Sequence, residues 1–269
     1  MEWSSATRVE LALVLAPPFV YTLAFIPLTK YLAKKHNRTI IACRLGHNVL
    51  MAAFSCVMTV MAVIELSARP LSLHGQLCAP AGKAPLMVAA WYLSKFWEWF
   101  DSALLVAQGK PLGSLHLNHH ASTATVVASH FIGRGGGTLF AARTSIFDWP
   151  LLLNGAVHSL MYSYYAAPKT LKPLRKLITS AQICQHVLVL LAILYTSITH
   201  HAVGGSCDIS PMANGISLIL YLMYLVQFLS FYVSAYLGKK VRGAQSARLE
   251  QTSELVAREL VDAKAAKAA

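Results

Sequence analysis

Seven stretches of the chain are almost continuously apolar: 11–33, 40–64, 84–108, 115–132, 144–167, 177–199 and 213–237. Polar and basic residues gather in the short segments between them. A helix of about 20 apolar residues crosses the hydrocarbon layer, so each stretch has the dimensions of a span. The pattern predicts an all-α membrane protein, a bundle of seven transmembrane helices. Pro17, Pro18 and Pro27 are expected to kink the first helix, which neighbouring helices tolerate. The fourth stretch is short and is expected to start inside the membrane boundary. No internal repeat is visible. The predicted organisation is a lumenal N-terminus at 1–10, the seven-span domain at 11–238 and an Ala-rich, charged cytosolic tail at 239–269.

Composition agrees. The 269 residues are 56% hydrophobic and 13% charged, with a mean hydropathy of +0.51. An average soluble domain carries about 25% charged residues. A soluble enzyme with a small anchor is excluded, as is disorder outside the last thirty residues. The net charge is 23 − 11 = +12. It reads as the cytosolic excess of Lys and Arg in a membrane protein rather than as a nucleic-acid surface. Lys34, Lys35 and Arg38 follow the first stretch, Lys169, Lys172, Arg175 and Lys176 the fifth, and Lys239, Lys240 and Arg242 the seventh. The opposite connections carry Arg69, Lys83 and Arg134, thinly spread. The C-terminus is therefore expected in the cytosol and the N-terminus in a lumen. The sequon Asn37-Arg38-Thr39 is then cytosolic and silent. The five cysteines form no CxxC pair. Cys78 and Cys207 both fall in lumenal connections, where an oxidising compartment permits a disulfide and two free thiols are the alternative.

Charges inside a span are the informative anomaly, since each costs about 2.5–3.5 kcal/mol at the centre. The third stretch holds Lys95, Glu98 and Asp101 at intervals of three, one drifting helical face on which Lys95 reaches Glu98. They form either an ion-pair network that fixes packing or the polar wall of a chamber. The fourth stretch opens with His116-Leu-Asn-His119-His120, three imidazoles that look into one space. Metal binding and nucleophilic or general-base catalysis both suit such a cluster. In the fifth, Asn154, His158, Tyr162 and Tyr165 make one stripe. Tyr164 and Tyr165 also fit an interfacial aromatic belt. In the sixth, Thr179, Gln182, Gln185 and His186 make another, readable as polar glue between helices. Four consecutive helices thus turn polar stripes inward, mostly toward the cytosolic ends. A basic entrance leading to an apolar interior suits an anionic head with a long tail, the shape of an acyl-CoA.

These residues carry a resemblance. Lys95-x-x-Glu98-x-x-Asp101, His116-x-x-His119-His120, Asn154-x-x-x-His158-x-x-Met161-Tyr162-x-Tyr164-Tyr165 and Thr179-x-x-Gln182-x-x-Gln185 occur in order within residues 94–186. The chain closely resembles the ELO family of very-long-chain fatty-acid elongases. The resemblance implies a seven-helix bundle enclosing an acyl-chain tunnel in the endoplasmic-reticulum membrane. It implies a 3-oxoacyl-CoA synthase that condenses acyl-CoA with malonyl-CoA and releases CO2 and CoA. No metal or other cofactor is needed beyond the co-substrate malonyl-CoA. Implied partners are a ketoacyl-CoA reductase, a dehydratase and an enoyl reductase; a homodimer is compatible with it, and no nucleic acid is involved. By analogy His119 takes the acyl group as an acyl-imidazole, with His116, His120 and His158 orienting it and moving protons. Asn154, Gln182 and Gln185 are placed to bond the thioester oxygen or the enolate. Lys95, Glu98, Asp101, Tyr162 and Tyr165 complete the substrate-binding set, and Lys169 and Lys172 face the CoA phosphates.

The chain departs from the family pattern at four points. Ser102 stands where Thr is usual, Gln108-Gly109-Lys110 where an arginine-containing stretch is usual, Asn118 where an aromatic residue is common, and His186 where Phe is usual. The ending Lys264-Ala-Ala-Lys267-Ala-Ala only partly matches a dilysine retrieval signal. Two other classes share features of this sequence. A membrane di-iron desaturase or hydroxylase needs several histidine boxes, and this chain has one. A proton-coupled lipid transporter would also place His, Asp and Glu inside spans. Cys184, the thiol nearest the polar stripes, reads as packed rather than reactive.

Overall fold

The computed structural model describes residues 5–132, 140, 142–202 and 207–237. Among these residues the protein is all helix and connection, with no strand. The expected positions of Arg134, Lys239, Lys240, Arg242 and the tail 239–269 lie outside the described residues.

The first apolar stretch is one long rod: α1 (Ser5–Phe19), a π-helical segment (Val20–Phe25) and α2 (Ile26–Ala42). Pro17 and Pro18 withdraw backbone donors, and a wider turn follows in which the Ile26 N–H bonds to Tyr21 O. The rod differs from expectation at its far end. The basic run Lys34–Arg38, read as a connection, is helical. Only His36 leaves helical geometry, at φ −129° and ψ 27°. Lys and Arg are good helix formers and no Gly or Pro interrupts them, so the helix runs on to a one-residue turn at Cys43.

The remaining helices are α3 (Arg44–Ser67), α4 (Leu73–Cys78), α5 (Pro85–Trp97), α6 (Phe100–Ala107), α7 (Ser114–Ser129), α8 (Asp148–Ala166), α9 (Arg175–Ala202) and α10 (Pro211–Tyr232). The third apolar stretch is two helices rather than one. At Glu98 and Trp99 the backbone tightens, and the N–H groups of Trp99, Asp101 and Ser102 bond three residues back, at 3.2, 3.1 and 3.0 Å. Such a mid-helix tightening often marks a functional site. α6 closes on Gly109, whose φ is +67°. The Gly109 N–H bonds to Val106 O and the Lys110 N–H to Leu105 O, at 3.0 and 2.9 Å. This is the left-handed helix ending that glycine permits. It gives the Gln108-Gly109-Lys110 departure a structural purpose: it turns the chain so that α7 comes back along α5.

α3 lies antiparallel along α8, α1 packs on α7, and α2 on α6. Gly155 lets α8 close onto α3: a Cβ there would stand 2.6 Å from Thr59 Oγ1 and 3.1 Å from Ser55 O. Met58, Met87, Val88, Trp91, Phe131 and Phe147 fill the apolar core between these helices. Four helical runs are long and apolar enough to cross a membrane: Arg8–Ala42, Arg44–Ser67, Lys172–Ala202 and Pro211–Leu237. The other three stretches fall short among the described residues. α5, α6 and α7 are brief, and α8 carries Asp148, Asn154 and His158.

One end of the helices is tied together by polar contacts. The buried Asp148 carboxylate accepts from Arg143 Nε and Nη2, at 2.8 and 3.0 Å, and from Arg69 Nη2. Arg143 Nη2 also donates to Glu65 Oε2 (2.8 Å), and Arg69 Nη1 to Ser145 O (2.6 Å). Burial lowers the Arg69 guanidinium from its ordinary pKa. Burial acts the same way on Arg143, but its bonds to Asp148 and Glu65 outweigh it and raise that group. Cys78 and Cys207 form a disulfide at a Cα–Cα separation of 4.1 Å, and the Asp208 N–H bonds to Cys78 O. The connections after α3, before α8 and before α10 therefore share one end. Arg44, at the start of α3, donates to Tyr165 O at the opposite end.

The chain divides into two compact units, Met1–Gln227 and Phe228–Ala269. The second is described through the last turn of α10 and a π-helical segment, Val233–Leu237.

Candidate active site

Three hydrogen-bonded chains converge on the α5–α6 junction. In the first, the buried Lys95 ammonium donates to Glu98 Oε1 (2.6 Å) and to Asn154 Oδ1 (3.0 Å) on α8. His158 Nδ1 lies 3.6 Å from the same Glu98 oxygen. Lys95 and Glu98 are only 3% and 1% exposed, and a buried charge without its partner is strongly unfavourable. The pair both locks α5 to α8 and presents a carboxylate to His158.

In the second chain, Asp101 accepts from His47 Nε2 (2.9 Å) and from the Tyr162 hydroxyl (2.6 Å). The tightened turn at Glu98–Trp99 sets this carboxylate between α3 and α8. The Tyr162 ring is edge-on to His158, 5.6 Å between centroids, which joins the first two chains. In the third, Tyr21 from the π-helical segment bonds to Ser102 Oγ (2.7 Å), and Ser102 Oγ to His116 Nε2 (2.8 Å).

The histidine box sits on the first two turns of α7. The rings of His116 and His120 are 4.2 Å apart, and His120 is 5.6 Å from His119. Trp99 Nε1 donates to His120 O (2.9 Å), pinning α7 to the junction. The His119 ring stands 5.1 Å from that of Tyr224 on α10, whose hydroxyl bonds to Ser122 Oγ at 2.7 Å. His119 and His120 are within electrostatic reach of His158 and Lys95. α7 and α8 thus bring box and stripe to one interior.

α9 closes the wall. Gln182 Nε2 lies 3.5 Å from Met161 Sδ on α8. His186 Nδ1 bonds to Gln182 O, and its ring packs on Tyr221 and Tyr224, at 5.6 and 5.8 Å. Gln185 is buried. About 10 Å further along α7, by the helical rise, Val126 and Val127 line a narrow apolar cavity with Trp91, Phe147, Val189 and Ile193 among others. Tyr165 stands at the rim, 40% exposed, its ring 6.0 Å from Tyr162. Lys169 and Lys172 are exposed in the α8–α9 connection and make no hydrogen bond or ion pair to the site among the described residues.

The sequence reading missed His47, Tyr21 and Tyr224. His47-Asn48 in an apolar helix was a readable signal, since both are buried polar residues inside a span-length stretch. Tyr21 and Tyr224 carried none, as a tyrosine in an apolar run looks like packing. One group of three metal-ligating side chains lies within mutual reach among the described residues: His74, Cys78 and Cys207. Two of its three atoms are the sulfurs of the disulfide.

Comparison with known proteins covers nearly all of this architecture. The family described as GNS1/SUR4 (ELO) matches residues 8–244. Fatty acid elongase 3 of Trypanosoma cruzi (strain CL Brener) is 34% identical over 162 residues, covering 58% of this chain and 51% of that protein. Very long chain fatty acid elongase 4 of the same organism is 28% identical over 205 residues, covering 74% and 68%. Fatty acid elongase 3 of Trypanosoma brucei brucei (strain 927/4 GUTat10.1) is 29% identical over 164 residues, covering 59% and 52%. The chain spans about half the length of the two proteins named elongase 3. With the family match running from the first long helix past the last, and the four motifs gathered into one interior, the chain belongs to the ELO family.

Proposed function

We propose that this chain is a fatty-acid elongase of the endoplasmic-reticulum membrane, a 3-oxoacyl-CoA synthase with seven spans and a cytosolic active site. The carrying observation is that Trp99 and Ser102 hold the histidine box at the α5–α6 junction, where Lys95, Glu98 and His158 meet. The imidazole of His119 attacks the thioester carbonyl of the acyl-CoA. The C–S bond breaks, an acyl-imidazole forms, and the CoA thiolate takes the imidazole proton. Malonyl-CoA then loses CO2, and the electrons of that C–C bond become a thioester enolate. The enolate attacks the acyl carbonyl and releases His119 and the 3-oxoacyl-CoA. His116, His120 and His158 hold and move the protons. The apolar interior of the bundle keeps water from the reactive intermediate.

Three buried polar atoms on helices of the site, Glu98 Oε2, His120 Nδ1 and Gln185 Oε1, have no hydrogen-bond partner among the described residues. Buried polar groups are nearly always paired. Amide donors of a CoA pantetheine arm are suited to complete the two side-chain oxygens. Lys169 and Lys172, exposed at the same end as the box, are placed to meet CoA phosphates. The partners in this reading are the reductase and dehydratase activities that finish a two-carbon extension. The test is expression in a cell without its own elongases, with labelled malonyl-CoA and a fatty-acid profile. Label in longer acyl chains is expected. No incorporation, from a protein verified as folded and in the membrane, would overturn the reading.

A further inference from the structure

The π-helical segment of the first rod aims a tyrosine at the histidine box, and nothing in the proposed chemistry uses it. Tyr21 and Ser102 are both 0% exposed. The Tyr21 ring is enclosed by Phe25, Trp99 and His120, at 5.9, 5.2 and 6.4 Å. Its hydroxyl has one hydrogen-bond partner among the described residues, Ser102 Oγ at 2.7 Å. Ser102 Oγ has one other, His116 Nε2 at 2.8 Å.

The proton count along this chain has one economical solution. A buried phenol must donate its hydrogen, and Ser102 Oγ is the acceptor within reach. The serine hydrogen must then point away from Tyr21, toward His116 Nε2. That nitrogen accepts, so the neutral imidazole carries its proton on Nδ1. The reverse direction would leave the Tyr21 hydrogen buried with no acceptor. The position of Tyr21 is itself made by the wider π turn, a device that recurs at functional sites.

The geometry points to a tyrosine–serine relay, Tyr21 to Ser102 to His116, that fixes the tautomer and ring orientation of the first box histidine. Tyr21 and Ser102 are positioning residues: they act through His116 and touch no substrate. The relay rests on the proposed condensing activity for its purpose, and it explains why a hydroxyl is needed at position 102. The His116 ring in turn packs at a tilt against that of His120, so its orientation bears on the next histidine of the box.

The test uses the full chain in detergent, with Tyr21→Phe, Ser102→Ala and the double variant compared at equal folded protein. Losing one hydrogen bond of the relay is expected to lower kcat about three- to tenfold, with KM for acyl-CoA unchanged. The double variant should be no slower than Ser102→Ala alone, because both changes break one chain. Nitrogen NMR on isotope-labelled histidine separates protonated from unprotonated ring nitrogens, with the His116 signals assigned by their loss in His116→Asn. The parent should show an unprotonated Nε2 at His116, and Ser102→Ala should lose that state. Unchanged kcat in Tyr21→Phe, additive losses in the double variant, or a parent His116 with its proton on Nε2 would each overturn the relay. A parent without condensing activity would instead remove the functional reading, and the NMR result would still judge the tautomer.

Discussion

His119 and His130 stand about three turns apart along α7 and do different work. His130 is held on both nitrogens, by Thr144 Oγ1 at 2.8 Å and Ser217 Oγ at 2.7 Å, and ties three helical segments together. His119 instead meets the rings of His120 and Tyr224 in the polar interior. With labelled acyl-CoA and no malonyl-CoA, His119→Ala should lose CoA release and protein acylation by about 100-fold or more. His130→Ala should acylate like the parent at equal folded protein, but lose about 1–3 kcal/mol of stability from two broken buried hydrogen bonds. If His119→Ala is acylated like the parent, the nucleophile is another imidazole. Both histidines were visible in the sequence, and the three-in-five spacing singled out the box. That His130 is structural follows only from Thr144 and Ser217, which are 14 and 87 residues away.

At the scale of elements, the close approach of α3 and α8 carries the site, because His47 is on one and Asn154, His158 and Tyr162 are on the other. The contact depends on Gly155. A side chain there meets Thr59 and the Ser55 carbonyl, so Gly155→Val should destabilise the protein by about 1–3 kcal/mol, read as a lower melting temperature in detergent. Gly46, also helical, has nothing within 4 Å of where its Cβ would stand. Gly46→Ala should be neutral or stabilise by up to about 1 kcal/mol. Equal effects at the two glycines would count against the packing argument. Helix positions were legible from the apolar stretches. The break at Glu98–Trp99 and the helical course of Lys34–Arg38 were not, since hydropathy registers length and polarity but not whether the backbone keeps its hydrogen-bond period.

For the whole molecule, the tied end acts as a rigid base from which the site helices run. Asp148 is its centre, and Asp148→Ala would leave Arg69 and Arg143 buried without their shared partner. A loss of about 3–5 kcal/mol is expected, seen as failure to fold or a strongly lowered melting temperature. Near-parental stability would mean the two guanidiniums are satisfied elsewhere. The proposed orientation places this base in the lumen. A C-terminal tag should be cut by protease added outside sealed microsomes, and a protected tag would invert the topology and the location of the site.

Sequence alone determined the helical class, the seven apolar stretches, the inward polar stripes and the family, because each is written in periodicity and local spacing. Lys95 with Glu98 and the three box histidines are neighbours on their own helices, so their proximity follows from 3.6 residues per turn. Tertiary structure alone decided what lies across from them: His47 on Asp101, Asn154 on Lys95, Tyr21 on Ser102, and Asp148 between two arginines. Those partners are separated by 54, 59, 81, 79 and 5 residues, in that order with Arg69 before Arg143. Even the five-residue pair crosses a turn of three-ten helix rather than a helical face. The pairings depend on which helices pack and at what depth, and that is set by the summed shape of many apolar side chains rather than by any short motif.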